Sequence, residues 1–315
     1  MQLLFSPTSY KNCLYLIDKQ VDAILVGSHS FAVRNMNNLS LAQIKELVNK
    51  RGQTKIIVSV NSFFFDEDLA RLTSHLIELS ELDIEYVMFS DYAVAQIVFE
   101  NNLPLKLFYN PETIVTSYGQ FDFFVENKID AVFLARELFY GELMQIGMNN
   151  HQNLKLVFQG QGLGFIMHSR WNLLSNFDGY LKNQEIYKDL LEDKDFINIR
   201  EDLRKHPNIL KQDEFGTHMF TGFEICSINI LDKLLKLKMD YLLIDGYLHH
   251  DDDFLVIIDS YLLAMDALKN NTYTNDLKDE LWNKIKSVAI NRHISNNFLG
   301  TIKDILHMEK FDDEK

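Results

Sequence analysis

Eight short apolar segments recur along the chain, and most of them end in a polar residue or a glycine. Patterns typical of amphipathic helices separate most of them. All-parallel strands, buried on both faces, read as continuous apolar runs of this kind. The sequence therefore predicts an α/β fold, a (β/α)8 TIM-like barrel. In chain order the segments are LLFSP, DAILVGS, KIIVSVN, YVMFSD, LKLFYN, AVFLARE, LKLVFQG and YLLIDG.

The ends of these strands indicate where function lies. Barrels of this class carry their sites on the loops that follow the strand C-termini. Polar side chains at those positions are therefore expected to face one common mouth. They are Ser6, Asn61, Asp91, Asn110, Arg136, Glu137 and Asp245, with Gly27 at the end of the second strand.

Acidic residues also recur at the starts of four strands, in VDAILV, IEYVMF, IDAVFL and MDYLLI. This is the face of a barrel that serves stability rather than catalysis. We therefore interpret Asp22, Glu85, Asp130 and Asp240 as turn and capping residues.

The domain organisation follows from the spacing of the strands. Roughly eighty residues separate strands seven and eight, too many for a loop without structure of its own. We predict a barrel over residues 1–270 that includes an insertion over 161–222, and a helical C-terminal tail over 271–315. A helix over 224–238 is expected to lead back into strand eight.

The charge of the chain bears on its partners. The 315 residues carry a formal charge of −14 at pH 7. This disfavours a general nucleic-acid surface, because phosphate binding depends on Lys and Arg. Local basic faces around Arg71, around Arg170 and from Arg200 to His206 are candidates, and solvated helix faces are the alternative.

Cysteine content and hydropathy indicate which metal sites, disulfides and membrane segments this protein is expected to lack. Cys13 and Cys226 are far apart in the sequence, which argues against a disulfide framework, a structural zinc site or a cluster held by this chain alone. No run approaches the roughly 18 apolar residues of a membrane span. We expect a cytoplasmic protein with no membrane contact.

Three strand-end clusters are candidates for chemistry. Asp91 is either a base or substrate ligand, or a cap of the next helix. Asn110 and Pro111 form a turn that fixes Glu112 just past strand five. Arg136 is either an anchor for a carboxylate or phosphate, or half of a structural ion pair with its surroundings.

The segment HHDDD, which follows strand eight, looks like a metal site. Adjacent residues diverge in space, however, and Asp251 is better explained as the cap of the next helix. The sequence contains no GxSxG, HExxH or P-loop motif, which counts against a familiar hydrolase.

Across some 260 residues the chain resembles the collagenase-like peptidase family U32, and in particular the shorter, cysteine-poor member of the paired bacterial forms. The residues that carry the resemblance are DAILVGSHSFAVR with Arg34, VSVNSFFF with Asn61, FSDYAV with Asp91, FYNPETIVTSYG with Asn110 and Glu112, FLAREL with Arg136 and Glu137, QGLGFIMHSRWNLLSNF, GTHMF with His218, FEIC with Cys226, and LIDGY with Asp245.

The resemblance implies one of two activities. The family is classed as peptidases, although no catalytic residues are agreed, and some relatives take part in hydroxylation of the wobble uridine of tRNA. The latter involves prephenate and an iron–sulfur cluster held by cysteines. This chain departs from the family pattern. Gln161-Gly162 replaces a His-Gly pair, Phe165 stands at the first cysteine position, and no cysteine occurs near Arg170. Cys226 is the single cluster-type cysteine retained.

The departures lead to three hypotheses. The first is a cluster-free subunit of a tRNA wobble-uridine 5-hydroxylation system, which binds no cofactor alone and acts with a larger cysteine-rich paralogue that could hold an iron–sulfur cluster and contact tRNA. The second is a collagenase-like peptidase acting alone, and the third a non-catalytic interaction subunit. Candidate catalytic residues are Asp91, Glu112, Glu137 and His218, and candidate substrate-binding residues are Arg34, Asn61, Asn110, Arg136 and Asp245.

Overall fold

The computed structural model describes residues 1–183, 196–200, 202 and 206–300. Eight parallel strands follow one another around a barrel in chain order, and the last of them closes it by pairing with both the seventh and the first. The predicted (β/α)8 barrel is confirmed. The barrel strands are β1 (Gln2–Ser6), β2 (Ala23–Ser28), β4 (Lys55–Val60), β5 (Tyr86–Phe89), β6 (Leu107–Tyr109), β7 (Ala131–Phe133), β8 (Lys155–Ser169) and β12 (Tyr241–Asp245).

Helices cover the outside of the barrel. Ser40 begins one of them with a reciprocal capping box to Gln43, and Ser9 and Thr274 cap two others through their side chains. The helices are α1 (Tyr10–Asp18), α2 (Leu41–Lys50), α3 (Leu69–Ser80), α4 (Ala93–Glu100), α5 (Phe121–Glu126), α6 (Tyr140–Met148), α7 (Leu173–Asn183), α8 (Leu231–Leu234), α9 (Asp251–Lys269) and α10 (Asn275–Val288).

Large apolar side chains from the strands fill the interior of the barrel, so the barrel is a packed core and not a pore. A second and larger core lies between the strands and the surrounding helices. The interior residues are Leu4, Ala23, Leu25, Ile57, Tyr86, Met88, Phe108, Ala131, Phe133, Val157, Tyr241 and Leu243.

The acids at the strand starts tie neighbouring strands together. Three of the carboxylates accept the backbone N–H of a residue on the adjacent strand, which confirms their structural role. Glu85 instead forms ion pairs with Lys55 and Lys106. The three hydrogen bonds join Leu3 to Asp22 at 3.0 Å, Leu107 to Asp130 at 2.8 Å and Leu156 to Asp240 at 3.0 Å.

The insertion extends the barrel wall into an antiparallel sheet. Strand β8 bulges near Gly160, continues beyond the barrel and pairs with β11 (Gly216–Cys226). Strands β10 (Asn208–Asp213) and β9 (Ile197–Ile199) follow on the outer side. The expected helix over 224–238 is wrong at its start, because residues 224–226 still pair with β8 and helical turns begin only at Ile228.

The described part of the predicted tail packs on the barrel. Leu281 and Ile285 of α10 are fully buried, and the Tyr273 hydroxyl donates to the carbonyl of Ile228. Strand β13 (Ile294–Ser295) pairs with β11, and β3 (Asn38–Leu39) pairs with β2. Residues 301–315 of the predicted tail lie outside the described residues. Within the described chain, no helix combines the length and apolarity needed to span a bilayer.

Candidate functional site

A small polar cavity of about 40 Å³ lies at the C-terminal mouth of the barrel. Apolar residues of the strands form its floor, and residues of β8, β11 and the loop after β12 cover it. Five of the eight predicted strand-end residues line it, and loops after the strands supply its other polar groups. The polar lining comprises Ser6, Arg34, Asn35, Asn61, Asn110, Glu112, Arg136, Asp245 and Tyr247.

The centre of the mouth is a carboxylate held between two guanidinium groups. Glu112 Oε1 accepts from Arg34 Nη2 at 2.6 Å and from Arg34 Nε at 3.1 Å. Arg136 Nη1 lies 3.7 Å from Glu112 Oε2 and donates to the Glu112 carbonyl at 2.9 Å. Each of the three side chains is about nine-tenths buried, so these interactions are only weakly screened by solvent.

Asparagines at the strand ends set the backbone that carries these charges. Asn110 Oδ1 accepts the N–H of Glu112 at 3.0 Å, and Asn61 Oδ1 accepts the N–H of Val33 at 2.9 Å. Glu112 and Arg34 both adopt positive φ, at 69° and 57°. This conformation is unfavourable for residues other than glycine, and the two asparagine side chains help to hold it.

Burial and the neighbouring charges shift the pKa values of three groups in the mouth. Burial alone would raise the pKa of Glu112, but the Arg34 and Arg136 charges outweigh it and lower that pKa below its ordinary value. Burial lowers the pKa of Arg136, which Glu112 opposes, and a guanidinium stays charged in either case. Burial raises the pKa of Asp245 to about 6, although the Tyr247 N–H and the Arg136 charge favour its ionised form.

One guanidinium nitrogen in the mouth is unpaired among the described residues. Arg34 Nη1 is buried and has no hydrogen-bond partner among the described residues. The Arg34 guanidinium also packs over Phe165, with its carbon 4.5 Å from the centre of the ring. Because guanidinium N–H groups match carboxylate and phosphate oxygens, the mouth can bind an anionic group.

Gln159 and Tyr247 belong to this site and are absent from the sequence-based candidates. Gln159 is fully buried, accepts from Arg136 Nε and donates to the carbonyl of Leu163 at 3.0 Å. The available signal was a polar residue at the end of the apolar strand LKLVFQ. Tyr247 lies two residues after strand eight, where the family resemblance implies an arginine, and that departure was the available signal.

Asp91 and Glu137 do not line this cavity. The Asp91 carboxylate accepts the N–H of Phe64 at 3.1 Å and that of Ala93 at 2.9 Å, so it orders the loop before α4. Glu137 is exposed. Of the HHDDD segment, Asp251 begins α9 and accepts from the hydroxyls of Thr8 and Ser9 at 2.5 and 2.9 Å.

His218 lies within a chain of polar contacts beside the mouth. It is fully buried, its Nε2 lies 3.1 Å from Asp213 Oδ1, and its Nδ1 lies 3.1 Å from Nδ1 of His168. Burial, followed by the positive charge of neighbouring groups, lowers the pKa of His168 to about 4. His218 is thus buried between Asp213 and His168, a residue that the sequence did not single out.

The cysteines of this chain do not fit an iron–sulfur cluster. The full sequence contains two, and cluster ligation takes about four thiolates. Cys13 lies on α1, where Asn37 Nδ2 approaches its sulfur at 2.9 Å, and Cys226 ends β11. Burial raises the pKa of both thiols to about 12, which opposes the thiolate form that a metal needs.

Comparison with known proteins identifies the family. The model for peptidase family U32 matches residues 8–309. The chain belongs to this family. Among curated relatives of this U32 chain is tRNA hydroxylation protein P2 of Bacillus subtilis (strain 168), which is 28% identical over 303 residues, or 94% of this chain and 96% of the relative.

Solved structures show a weaker likeness to this U32 chain. The U32 peptidase Mk0906 aligns with a TM-score of 0.47 and 12% identity, over 78% of this chain and 92% of that one. N-acetylneuraminate lyase of Aliivibrio salmonicida aligns with a TM-score of 0.44 and 9% identity, over 91% and 79%. Strand order and pairing define the barrel independently of these alignments.

Proposed function

We propose that this U32 protein is a subunit of a tRNA wobble-uridine 5-hydroxylation system and acts with a larger, cysteine-rich paralogue. The observation that carries the proposal is the end-to-end similarity to a tRNA hydroxylation protein of nearly the same length. The family match over residues 8–309 supports it. The proposal places the protein in the cytoplasm, where tRNA is modified.

The mouth of the barrel binds a small carboxylate in this proposal. Arg34 Nη1 offers an unpaired donor, and Glu112, which also pairs with Arg136, holds the Arg34 guanidinium in place. Prephenate is the carboxylate that the family resemblance implies. The cavity of about 40 Å³ admits a carboxylate group, so a larger ligand needs movement of the covering residues Phe165 and Tyr247.

The cluster chemistry falls to the partner in this proposal. With two buried cysteines, this chain does not supply the ligand set of a cluster. A larger paralogue with more cysteines would hold it, and the present chain would bind the carboxylate and the partner.

Deletion of the gene tests the proposal. We expect loss of 5-hydroxyuridine-derived nucleosides at the wobble position, measured by mass spectrometry of total tRNA. A plasmid copy should restore them, and an Arg34→Gln copy should restore them only in small part. Arg51→Gln, which breaks an ion pair with the exposed Asp83, is the matched control and should restore them fully. Unchanged tRNA in the deletion strain would refute the proposal.

Affinity capture of the tagged chain tests the partner. We expect a longer, cysteine-rich homologue to co-purify. The non-catalytic hypothesis shares this result, but it differs in that Arg34→Gln would then keep full tRNA hydroxylation.

A peptidase acting alone is the other alternative. The geometry favours it less, since His218 is fully buried and both Asp91 oxygens accept backbone amides. Cleavage of gelatin by the pure protein, abolished by Glu112→Gln, would restore that alternative.

A further inference from the structure

We infer that a groove beside the mouth binds an unpaired nucleotide of RNA, an inference that rests on the proposed function and deepens it. The groove is lined by Phe63, Phe65, Arg71 and Arg170, and we call it the aromatic groove. Its volume is about 270 Å³, just below the roughly 300–1,000 Å³ of pockets for drug-sized ligands. This is a suitable size for one base with part of its sugar.

The loop after β4 displays two phenyl rings to solvent. Phe63 and Phe65 are 52% and 38% exposed, although they are large apolar residues. Two hydrogen bonds hold the loop. The N–H of Phe64 donates to the Asp91 carboxylate, and the N–H of Phe65 donates to the Asp68 carboxylate, each at 3.1 Å. A fixed loop with exposed aromatic rings provides a stacking surface for bases, which depends little on sequence.

Two arginines add the charge that an RNA ligand needs. The guanidinium carbon of Arg170 lies 3.7 Å from the centre of the Phe65 ring, and that of Arg71 lies 5.0 Å from the centre of the Phe31 ring. A guanidinium stacked on one side by an aromatic ring can stack a base on its other side and donate to phosphate at its edge.

Two carboxylates in the same groove limit how the nucleotide lies. Asp68 is already engaged, since it accepts the N–H of Phe65 and pairs with Arg71 at 3.2 Å. Glu214 is exposed on the rim, where it repels phosphate but accepts N–H groups of a base. The base edge therefore faces Glu214, and the phosphate faces Arg170.

The aromatic groove and the mouth are joined by two short segments. Asn61 lines the mouth, and the following residues Ser62 and Phe63 line the groove. On β8 and just beyond it, Phe165 covers the mouth and Arg170 lies in the groove. A nucleotide in the groove thus brings its neighbour in the RNA towards the mouth.

Binding of a transcribed, unmodified anticodon stem-loop tests the inference. Fluorescence anisotropy would compare the full chain, in complex with its partner if one co-purifies, with a Phe63→Ala/Phe65→Ala double variant and with Arg170→Gln. We expect the affinity of the double variant for the stem-loop to fall by roughly tenfold or more. Arg170→Gln should also weaken the dependence of affinity on salt. Phe123→Ala, on α5 outside the groove and 55% exposed, is the control and should bind normally.

Three outcomes decide the inference. Weaker RNA binding by the groove variants, with unchanged thermal unfolding, supports it. Normal RNA affinity combined with loss of a co-purifying protein would overturn it in favour of a protein-docking surface. Groove variants that keep both RNA affinity and tRNA hydroxylation would also overturn it. The proposed function would survive that result, because it depends on the deletion strain.

Discussion

At the residue scale, Glu112 holds two arginines in the mouth of the barrel. Glu112→Gln keeps the shape but removes the one formal charge that, within the described part of the chain, pairs with both guanidiniums. We expect the free energy of unfolding to fall by about 3–5 kcal/mol, because a buried charge is left without its partner. Urea unfolding followed by circular dichroism measures the change.

The surface pair between Lys50 and Glu46 provides the control for this prediction. Both side chains are half-exposed, so Glu46→Gln should leave the unfolding midpoint unchanged. Equal effects of the two substitutions would show that the Glu112 carboxylate is not the electrostatic centre of the mouth.

Asp245 makes stability and ligand binding depend on pH. Its pKa in the folded chain is about 6, above the ordinary value of 3.8 for an aspartate, so the folded state holds its proton more tightly than the unfolded state. Burial of the Asp245 carboxyl therefore does not lower the free energy of unfolding below pH 3.8. The loss of stability grows as the pH rises to about 6. Relative to Asp245→Asn, we expect wild type to lose up to about 3 kcal/mol of stability over that range. A difference independent of pH would contradict this.

The same ionisation changes the charge of the mouth. Below pH 6, Asp245 is protonated, and the two positive charges of Arg34 and Arg136 with the one negative charge of Glu112 leave the mouth with one net positive charge. Above pH 6, the ionised Asp245 cancels that charge. A carboxylate ligand should therefore bind more tightly at pH 5 than at pH 7. Calorimetric titration with prephenate, compared between wild type and Asp245→Asn, measures the difference.

The contacts of the histidine chain beside the mouth favour one arrangement of protons. If Asp213 accepts from His218 Nε2–H, then His218 Nδ1 accepts from His168 Nδ1–H, and His168 Nε2 carries a lone pair. At pH 7 we expect His168 to be neutral in this tautomer, since its pKa is lowered to about 4. Long-range proton–nitrogen NMR reports both tautomers. Asp213→Ala removes the acceptor at His218 Nε2, so both rings should then populate more than one tautomer. An Nε2-protonated His168 at pH 7 in wild type would contradict the arrangement.

At the element scale, β8 joins the barrel to the antiparallel sheet, and Gly162 is the residue at which the two meet. Gly162 has a φ of +111°, and a Cβ there would lie 2.7 Å from the carbonyl oxygen of Asp245. We expect Gly162→Ala to destabilise the fold by about 1–3 kcal/mol and to displace Asp245. Thermal unfolding and the pH dependence of stability measure the two effects.

Gly52 offers a matched comparison for Gly162. It also has positive φ, but no atom lies within 4 Å of the Cβ position. Gly52→Ala should therefore be milder, since it adds backbone strain without a clash. The prediction for Gly162 fails if the two variants are equally stable.

At the scale of the whole molecule, α10 completes the core rather than standing apart from it. Leu281 and Ile285 are fully buried in the same core as the barrel helices. Leu281→Ala should lower the free energy of unfolding by about 2–5 kcal/mol, with a single cooperative transition. The exposed Lys284→Ala on the same helix is the control. Separate transitions for residues 1–270 and for α10 would contradict this.

Local patterns in the amino-acid sequence were enough to predict the barrel and most of its mouth. Apolar strands that end in polar residues predicted the fold, and Asn61, Asn110, Arg136 and Asp245 then followed from the rule that barrel sites lie at strand C-termini. The acids at the strand starts were likewise interpretable, because a carboxylate before a buried strand has backbone N–H groups within reach.

Which of these side chains meet became clear from the closed barrel and not from the sequence. Arg34 and Glu112 are 78 residues apart and form the shortest ion pair of the mouth, while Asp91 turns to backbone amides and His218 is buried. The physical reason lies in the parallel strands. Their sequences are apolar on both faces, so no alternation shows which residue, such as Gln159, points into the mouth. That direction depends on the register and the bulge of neighbouring strands, which arise only when the barrel closes.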